Sequence, residues 1–405
     1  MFEYSYLIVK KCNSWTYGRR IAFSLLFFEL LFCWRHEACY VLLIIEKKIT
    51  DMEKILTIVI PTYNMQDYLR RCLDSLIVPE EQMKQLEVLV VNDGSKDNSS
   101  AIAHEYQDKY PGTFRVIDKE NGNYGSCVNR GLKEATGKYI KILDADDWFD
   151  TKALTSFLNL LNNCKADVVL TDFSCYYSDH AETVHMYLKQ KKQLLSFSDG
   201  MNESAHQLIN IQMHAVCYKT SCFDNLDYHQ TEGISYTDQE WVLLPWANVQ
   251  SLIYIPLSLY QYNLDREGQT MASDVFERKI ADQFVSINLM IDKVKEIKSI
   301  VDEEHLYFLQ QKMLVRVESI YKYYITRRYA KDKCALLIEF DNHLTQSSPS
   351  LYRALNKVKL AKYYPCSYIL RWRENDYNPL CKGVFRMSDF VCSIVSLVKR
   401  VLNYK

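Results

Sequence analysis

Three carboxylates crowd into four consecutive positions at Asp144-Ala145-Asp146-Asp147. Carboxylates this close resist ionising together unless a cation sits among them. Oxygen-only ligands, with no Cys or cluster of His nearby, favour Mg2+ or Mn2+ over zinc. The usual partner of such a hard cation is a diphosphate. The plainer alternative is an acidic cap on the helix that follows. Three further polar clusters precede this one: Pro61-Thr62-Tyr63-Asn64, Asn92-Asp93-Gly94-Ser95 and Glu120-Asn121-Gly122-Asn123. Any one of them is what an ordinary turn looks like. Four in succession, each after an apolar run, describe the rim of a site.

The elements that must carry this rim follow from the apolar patterning. The runs at 55–60, ended by Pro61, and at 86–91, ended by Asn92-Asp93-Gly94, are continuous, as in strands buried on both faces of a parallel sheet. Between them, Tyr68, Leu69, Cys72, Leu73, Leu76 and Ile77 recur at helical spacing over 66–77. The alternation continues with a helix over 98–110, capped by Asn98 or Ser99, a strand at 114–117, a helix over 125–136 and a strand over 139–146. The class is α/β with a mainly parallel sheet, in which ligands bind at the carboxyl ends of the strands. Beyond 150 the pattern is mixed, with strands expected at 167–173, 215–218 and 252–255. From about residue 275 it turns helical, with long amphipathic helices over 276–298 and 304–329.

At this point the sequence resembles the family 2 glycosyltransferases of GT-A fold. The matching stretches are TIVIPTYNMQDYLRRCLDSL (57–76), VLVVNDGSKDNS (88–99), ENGNYGSCVNRGLKEATGKYIKILDADDWF (120–149) and YTDQEW (236–241), in the family's order and spacing. The resemblance implies a nucleotide-sugar donor, most often a UDP-sugar, and a glycan or lipid-linked acceptor in cell-surface polysaccharide synthesis. Carried over by position, Pro61, Thr62 and Tyr63 would hold the nucleobase, and Asp93 would accept the uracil N3–H. Asp144 would contact ribose or sugar, and with Asp146 would ligate the Mn2+ or Mg2+ that bridges the diphosphate. Asn123 and Arg130 are further donor contacts, although Arg130 could face outward on its helix. Lys141 reads as a flanking strand residue. An inverting transfer needs a carboxylate base near the acceptor hydroxyl. The family's position for it falls on Asp238, with Glu240 and Glu232 as runners-up. The segment 260–270 resembles a loop that closes near the diphosphate, with Arg266 and Gln269 as its polar positions and Asp265 where a Gly is more usual. His214 reads as a buried core histidine or as a group approaching the metal.

Composition narrows the alternatives. Of 405 residues, 49 Lys+Arg balance 50 Asp+Glu, which removes any broad electrostatic argument for nucleic-acid binding. The 13 cysteines are scattered without a Cys-x-x-Cys pair, as in a reducing cytosolic compartment. No Gly-x-Gly-x-x-Gly follows the first strand and no Gly-x-x-x-x-Gly-Lys-Ser/Thr occurs, which argues against a Rossmann dehydrogenase and a P-loop NTPase. The competing readings are a sugar nucleotidyltransferase, which would want a Gly-rich basic loop where Pro-Thr-Tyr-Asn stands, and a catalytically silent glycan-binding module. No Gln-x-x-Arg-Trp element of a processive synthase follows Asp238. The expected organisation is an extension over 1–51, a GT-A domain over 52–272 and a helical region over 273–405. The apolar stretch 21–45, broken by Arg35-His36-Glu37, is either a mis-called start upstream of Met52 or a weak membrane anchor. The last stretch, 389–402, places Phe390, Ile394, Leu397, Val398 and Val401 on one face. It reads either as a closing helix or as a peripheral contact with the inner face of the plasma membrane.

Overall fold

The computed structural model describes residues 54–266, 273–360, 367–383 and 390. The expectations for 1–51, for Gln269 and for the helix at 389–402 lie outside these residues. Its centre is a ten-stranded sheet in the order β3-β2-β1-β4-β9-β6-β10-β5, with β7 alongside β6 beyond the end of its pairing with β9, and β8 against β10. The first half is a wound α/β unit: β1 (Leu56–Thr62), α1 (Gln66–Asp74), β2 (Leu86–Asn92), α2 (Ser99–Lys109), β3 (Phe114–Asp118), α3 (Asn123–Glu134) and β4 (Tyr139–Ile142). These four strands are parallel, with Ile58 of β1 opposite Val88 of β2 on one side and Lys141 of β4 on the other. β1 and β2 are almost wholly buried along their length, which is why their sequence reads apolar without alternation. The order runs outward from β1 to β2 and β3, then reverses to β4. That reversal opens a crevice at the carboxyl ends of β1 and β4, where such sheets bind ligands.

The second half mixes directions. β5 (Trp148–Phe149), α4 (Thr151–Leu161), β6 (Val168–Tyr176), β7 (Ala181–Val184), β8 (Leu194–Ser196), α5 (Phe197–Ile209) and β9 (Val216–Lys219) lead to the short α6 (Asp238–Trp241) and to β10 (Ser251–Asn263). β9 is antiparallel to both β4 and β6, whereas β10 is parallel to β6. β10 runs eight residues beyond the expected Ile255. Pro256 sits inside it and is tolerated because the register shifts between Ile255 and Tyr260. α2 is not capped as expected. The Asn98 side chain makes no cap bond, Asp97 accepts from the N–H of Ser99, and its other oxygen accepts from Gln66 N at the start of α1. One carboxylate thereby closes two helix starts that face each other.

The helical region contributes α7 (Ser273–Arg278), α8 (Ile280–Ile297), α9 (Glu303–Thr326), α10 (Ala335–Ser347), α11 (Pro349–Leu355) and α12 (Tyr368–Glu374). α9 docks on the sheet domain through aromatic contacts. The His305 ring stacks on Phe197 at 4.1 Å with its Nε2 2.8 Å from Val249 O, and Phe308 lies 4.9 Å from Trp246. Among the described residues no helix is long and apolar enough to cross a membrane.

Candidate active site

The crevice at the strand ends opens into a cavity of about 630 Å³. It is lined by Pro61, Thr62 and Tyr63 from the end of β1, Asp93 after β2, Asn123 and Tyr124 at the start of α3, and Asp144 and Asp146 after β4. Asp238 of α6 and Arg266 after β10 complete its polar wall. Residues far apart in sequence meet here because each follows a buried strand or opens a helix packed on one.

Asp93 is almost fully buried and held from several sides. Lys119 Nζ (2.6 Å), Gly122 N (2.9 Å) and Ser126 Oγ (3.5 Å) all donate to its Oδ1, and Asn121 Nδ2 donates to its carbonyl at 2.9 Å. This fixes the carboxylate with Oδ1 occupied, so a ligand donor has Oδ2 to meet. Asn123 opens α3 with φ 67°, a left-handed conformation that Asn adopts more readily than most residues. The helix passes so close to the loop after Gln230 that a Cβ on Gly125 would stand 1.9 Å from Thr231 O, so only glycine fits there.

In the acidic cluster, ligand oxygens of Asp144, Asp146 and Asp147 lie within 4.8 Å of one another, but the three are not equivalent. Asp147 turns inward: Tyr260 Oη donates to Oδ2 at 2.5 Å and Asn263 N donates to Oδ1 at 2.8 Å. Burial, with Asp146 and Asp144 adding repulsion, holds its carboxyl well above the usual range. Its role is to tie the turn to β10. Asp144 and Asp146 face the cavity. Tyr124 Oη donates to Asp144 Oδ1 at 2.9 Å, and Arg266 Nε donates to Asp146 Oδ2 at 2.6 Å. The Asp146 carbonyl accepts from Arg71 Nη2 at 2.8 Å, and that guanidinium lies 3.8 Å above the Trp148 ring. Burial, then the charge of Asp146, pushes Asp144 up to about 7. Two carboxylates side by side, with Asp144 resisting ionisation, fit a divalent hard cation, which would relieve the repulsion. Asp144 and Asp146 are the residues that could hold it.

Asp238 is the first residue of α6 and lies on the cavity wall. Its Oδ2 accepts from Gln239 Nε2 at 2.8 Å. It is close enough to Asp144 for its charge to raise that residue's affinity for a proton. Neither runner-up has this position. Glu240 is buried behind the wall, where its Oε2 accepts from Thr231 N (2.9 Å) and its Oε1 from Ser286 Oγ (3.4 Å). Glu232 accepts from Asn129 Nδ2 at 2.8 Å, outside the cavity.

Arg130 needs correcting. It is nearly half exposed, bonds Glu134 Oε1 at 2.9 Å one helical turn on, and does not line the cavity. The spacing that placed it on α3 was right, but the helix turns it to solvent. Lys141 is fully buried inside β4 and donates to His214 O (2.7 Å) and Val216 O (2.9 Å), holding β9 in place. His214 lines the cavity but sits within an aromatic cage, stacked on Tyr262 at 4.3 Å, and burial pushes its imidazole down to about 3. It is therefore neutral at any ordinary pH.

Sequence reasoning missed the residues that hold the acids. Tyr124 and Lys119 sat within or beside the quoted motif around Asn123 and were legible as polar neighbours. Arg71 and Tyr260 carry no such signal. It also missed an entire wall: Phe276, Lys279, Gln283, Arg316, Ser319, Ile320 and Tyr323, all from α7, α8, α9 and the turns between them, line the same cavity.

Residues 57–226 match the model of glycosyl transferase family 2. A stretch of 214 residues is 42% identical to the glycosyltransferase YibD of Escherichia coli, covering 52% of this chain and 61% of that one. Over 128 residues the chain is 37% identical to the glycosyltransferase MG025 of Mycoplasma genitalium, covering 31% and 42%. It thus spans less than two thirds of the length of these relatives. In structure it is similar to residues 1–349 of Staphylococcus aureus TarS in complex with UDP-GlcNAc, with a TM-score of 0.62 and 19% identity over 80% of this chain and 88% of that one. At that identity the likeness speaks to the fold. The wound sheet and the structural likeness show a GT-A fold. Residues 57–226 carry the pattern of the family 2 glycosyltransferase model.

Proposed function

We propose that this chain transfers one sugar, with inversion, from a nucleotide-sugar donor of the UDP-sugar class to a hydroxyl of a glycan or lipid-linked acceptor. The observation that carries this reading is the gathering of Asp93, Asp144, Asp146 and Asp238 on one cavity at the strand ends. In this reading Asp93 accepts the base N3–H through Oδ2, while Pro61, Thr62 and Tyr63 flank the base. Asp144 and Asp146 would hold a divalent cation, which would supply positive charge to offset that of a diphosphate. Arg266, already within reach of Asp146, offers a second positive group on that side. Asp238 takes the proton of the acceptor hydroxyl as its oxygen attacks the anomeric carbon and the bond to the nucleoside diphosphate breaks, leaving by the opposite face. Asp238 is suited to this because, among the described residues, its carboxylate accepts a hydrogen bond from its neighbour Gln239 alone. Synthesis of a cell-surface polysaccharide, at the inner face of the membrane, is the setting we infer for it.

The test is to incubate the full chain with a panel of nucleotide sugars and Mn2+ and to measure release of the nucleoside diphosphate. Release with one class of donor, suppressed by EDTA, is the expected result. No release from any donor, with no nucleotide bound in calorimetry, would overturn the reading.

A further inference from the structure

The wall contributed by the helical region holds one feature that donor chemistry does not use. Arg316 of α9 lines the cavity, yet its Nε and Nη2 atoms are shielded from solvent and have no hydrogen-bond partner. No carboxylate lies within ion-pair distance of it among the described residues. The carboxylate whose charge reaches it is that of Asp238. A guanidinium keeps its proton even where burial opposes the charge. Such a group, left without partners in a shielded position, is costly to the fold. Structural arginines in this protein are satisfied by contrast: Arg373 is clamped on Asp341, Asn356 and the Tyr352 carbonyl. Tyr236, beside Asp238, adds strain of its own, with φ 64° in a region that bulky residues avoid. Unpaired charge and backbone strain coincide at the part of the cavity nearest the proposed base.

We propose that Arg316 is the anchor of the acceptor subsite, binding a phosphate or carboxylate group of the acceptor next to Asp238. This rests on the glycosyltransferase reading and adds to it the class of acceptor: an anionic one. The planar fork of donors on Arg316 matches either oxyanion. Position decides between acceptor and donor as the source of the anion. The diphosphate side of the cavity has Arg266 on Asp146, whereas Arg316 couples to Asp238 and not to the Asp144–Asp147 cluster. Lys279 of the same wall, whose Nζ donates to Ser235 Oγ at 2.7 Å, brings a second cation to that end.

The experiment uses the full chain and defined probes. Glycerol phosphate and glucuronate are titrated calorimetrically against their neutral counterparts, glycerol and glucose, with and without UDP and Mn2+. Wild type is expected to bind the anionic probes and not the neutral ones. Arg316→Gln is expected to weaken the anionic probes by about tenfold or more, with UDP affinity unchanged. Arg316→Lys, which keeps the charge without the fork, should fall between the two. It carries the comparison if the Gln variant fails to fold. Anion binding that is absent in wild type, or equal in wild type and both variants, overturns the proposal. So does a result in which the variants lose affinity for UDP-glucuronate but keep it for glycerol phosphate, since the anion would then belong to the donor. A wild type that binds the anions but no nucleotide would sink the glycosyltransferase reading and not this site.

Discussion

Asp238 and Glu240 stand two residues apart, and the structure assigns them opposite consequences. Asp238→Asn removes the basicity of a carboxylate on the cavity wall while keeping its shape. Loss of a positioned general base typically costs ~10²- to 10⁴-fold in turnover, or about 2.7–5.4 kcal/mol of barrier. The fold should be indifferent, because among the described residues the Gln239 side chain is the one hydrogen-bond donor to this carboxylate. Donor affinity should not fall either. Asp238 contributes to the repulsion that raises Asp144, so its neutralisation favours the ionised form of Asp144. Glu240→Gln acts in the other direction. The buried carboxylate accepts from Thr231 N at 2.9 Å and Ser286 Oγ at 3.4 Å, and an amide can present an acceptor to only one of them. Leaving a buried donor facing an NH2 costs about 1–3 kcal/mol. At roughly 2–4 °C per kcal/mol this lowers Tm by several degrees. The assay pairs acceptor-dependent product formation with thermal unfolding and nucleotide calorimetry on both variants. Full transfer in Asp238→Asn, together with an inactive but thermally normal Glu240→Gln, would refute the assignment.

Three further outcomes follow from the same geometry. Asp144 titrates near 7 when folded against 3.8 as its reference. Its protonated form therefore stabilises the metal-free fold, fully below about pH 4 and with that benefit lost as pH rises to 7. A cation needs the ionised form, so the gain in Tm from Mn2+ over EDTA should grow from pH 5 to 8; a gain independent of pH would exclude Asp144 as a ligand. The imidazole of His214, pushed down to about 3, loses stability with falling pH in both samples, so it cancels in this difference. Tyr124→Phe removes the donor at 2.9 Å that favours ionised Asp144, so at pH 7 Mn2+ affinity should drop severalfold while UDP alone binds as before. Gly125→Ala drives a methyl to 1.9 Å from Thr231 O. Moving α3 off the loop should cost about 1–3 kcal/mol, read as a lower Tm.

Much of the first half was legible because its strands are buried on both faces and its helices are amphipathic. Leu56–Thr62 and Leu86–Asn92 stand within two residues of where the apolar runs put them. The same signal fails where burial is one-sided. β10 was read as a few residues because Pro256 and the bulge after it interrupt the pattern. Its far end matters most, since Tyr260 and Asn263 restrain Asp147 there. The acidic residues were legible by type and spacing. Which of them face the cavity was not, because three adjacent carboxylates look alike until their partners are known. Arg130 shows the same limit: a helix fixes spacing, while its rotation about its own axis depends on what packs against it.

The helical wall was the least legible part, and the reason is physical. α8 and α9 bury Phe284, Ile287, Met290, Phe308, Met313 and Val317 against the rest of the molecule. A sequence pattern that serves core packing conceals the few polar side chains turned toward a cavity. Arg316 and Ser319 lie on a helix whose periodicity says amphipathic and nothing more. A family motif does not reach them either, since it records what every member shares, the donor side and the base. A surface that differs with each acceptor belongs outside such motifs, and the proposed one is mounted on α9, which docks on the sheet domain through His305 and Phe308. Those contacts fix the part of α9 that precedes Arg316, whose Nε and Nη2 are left without partners.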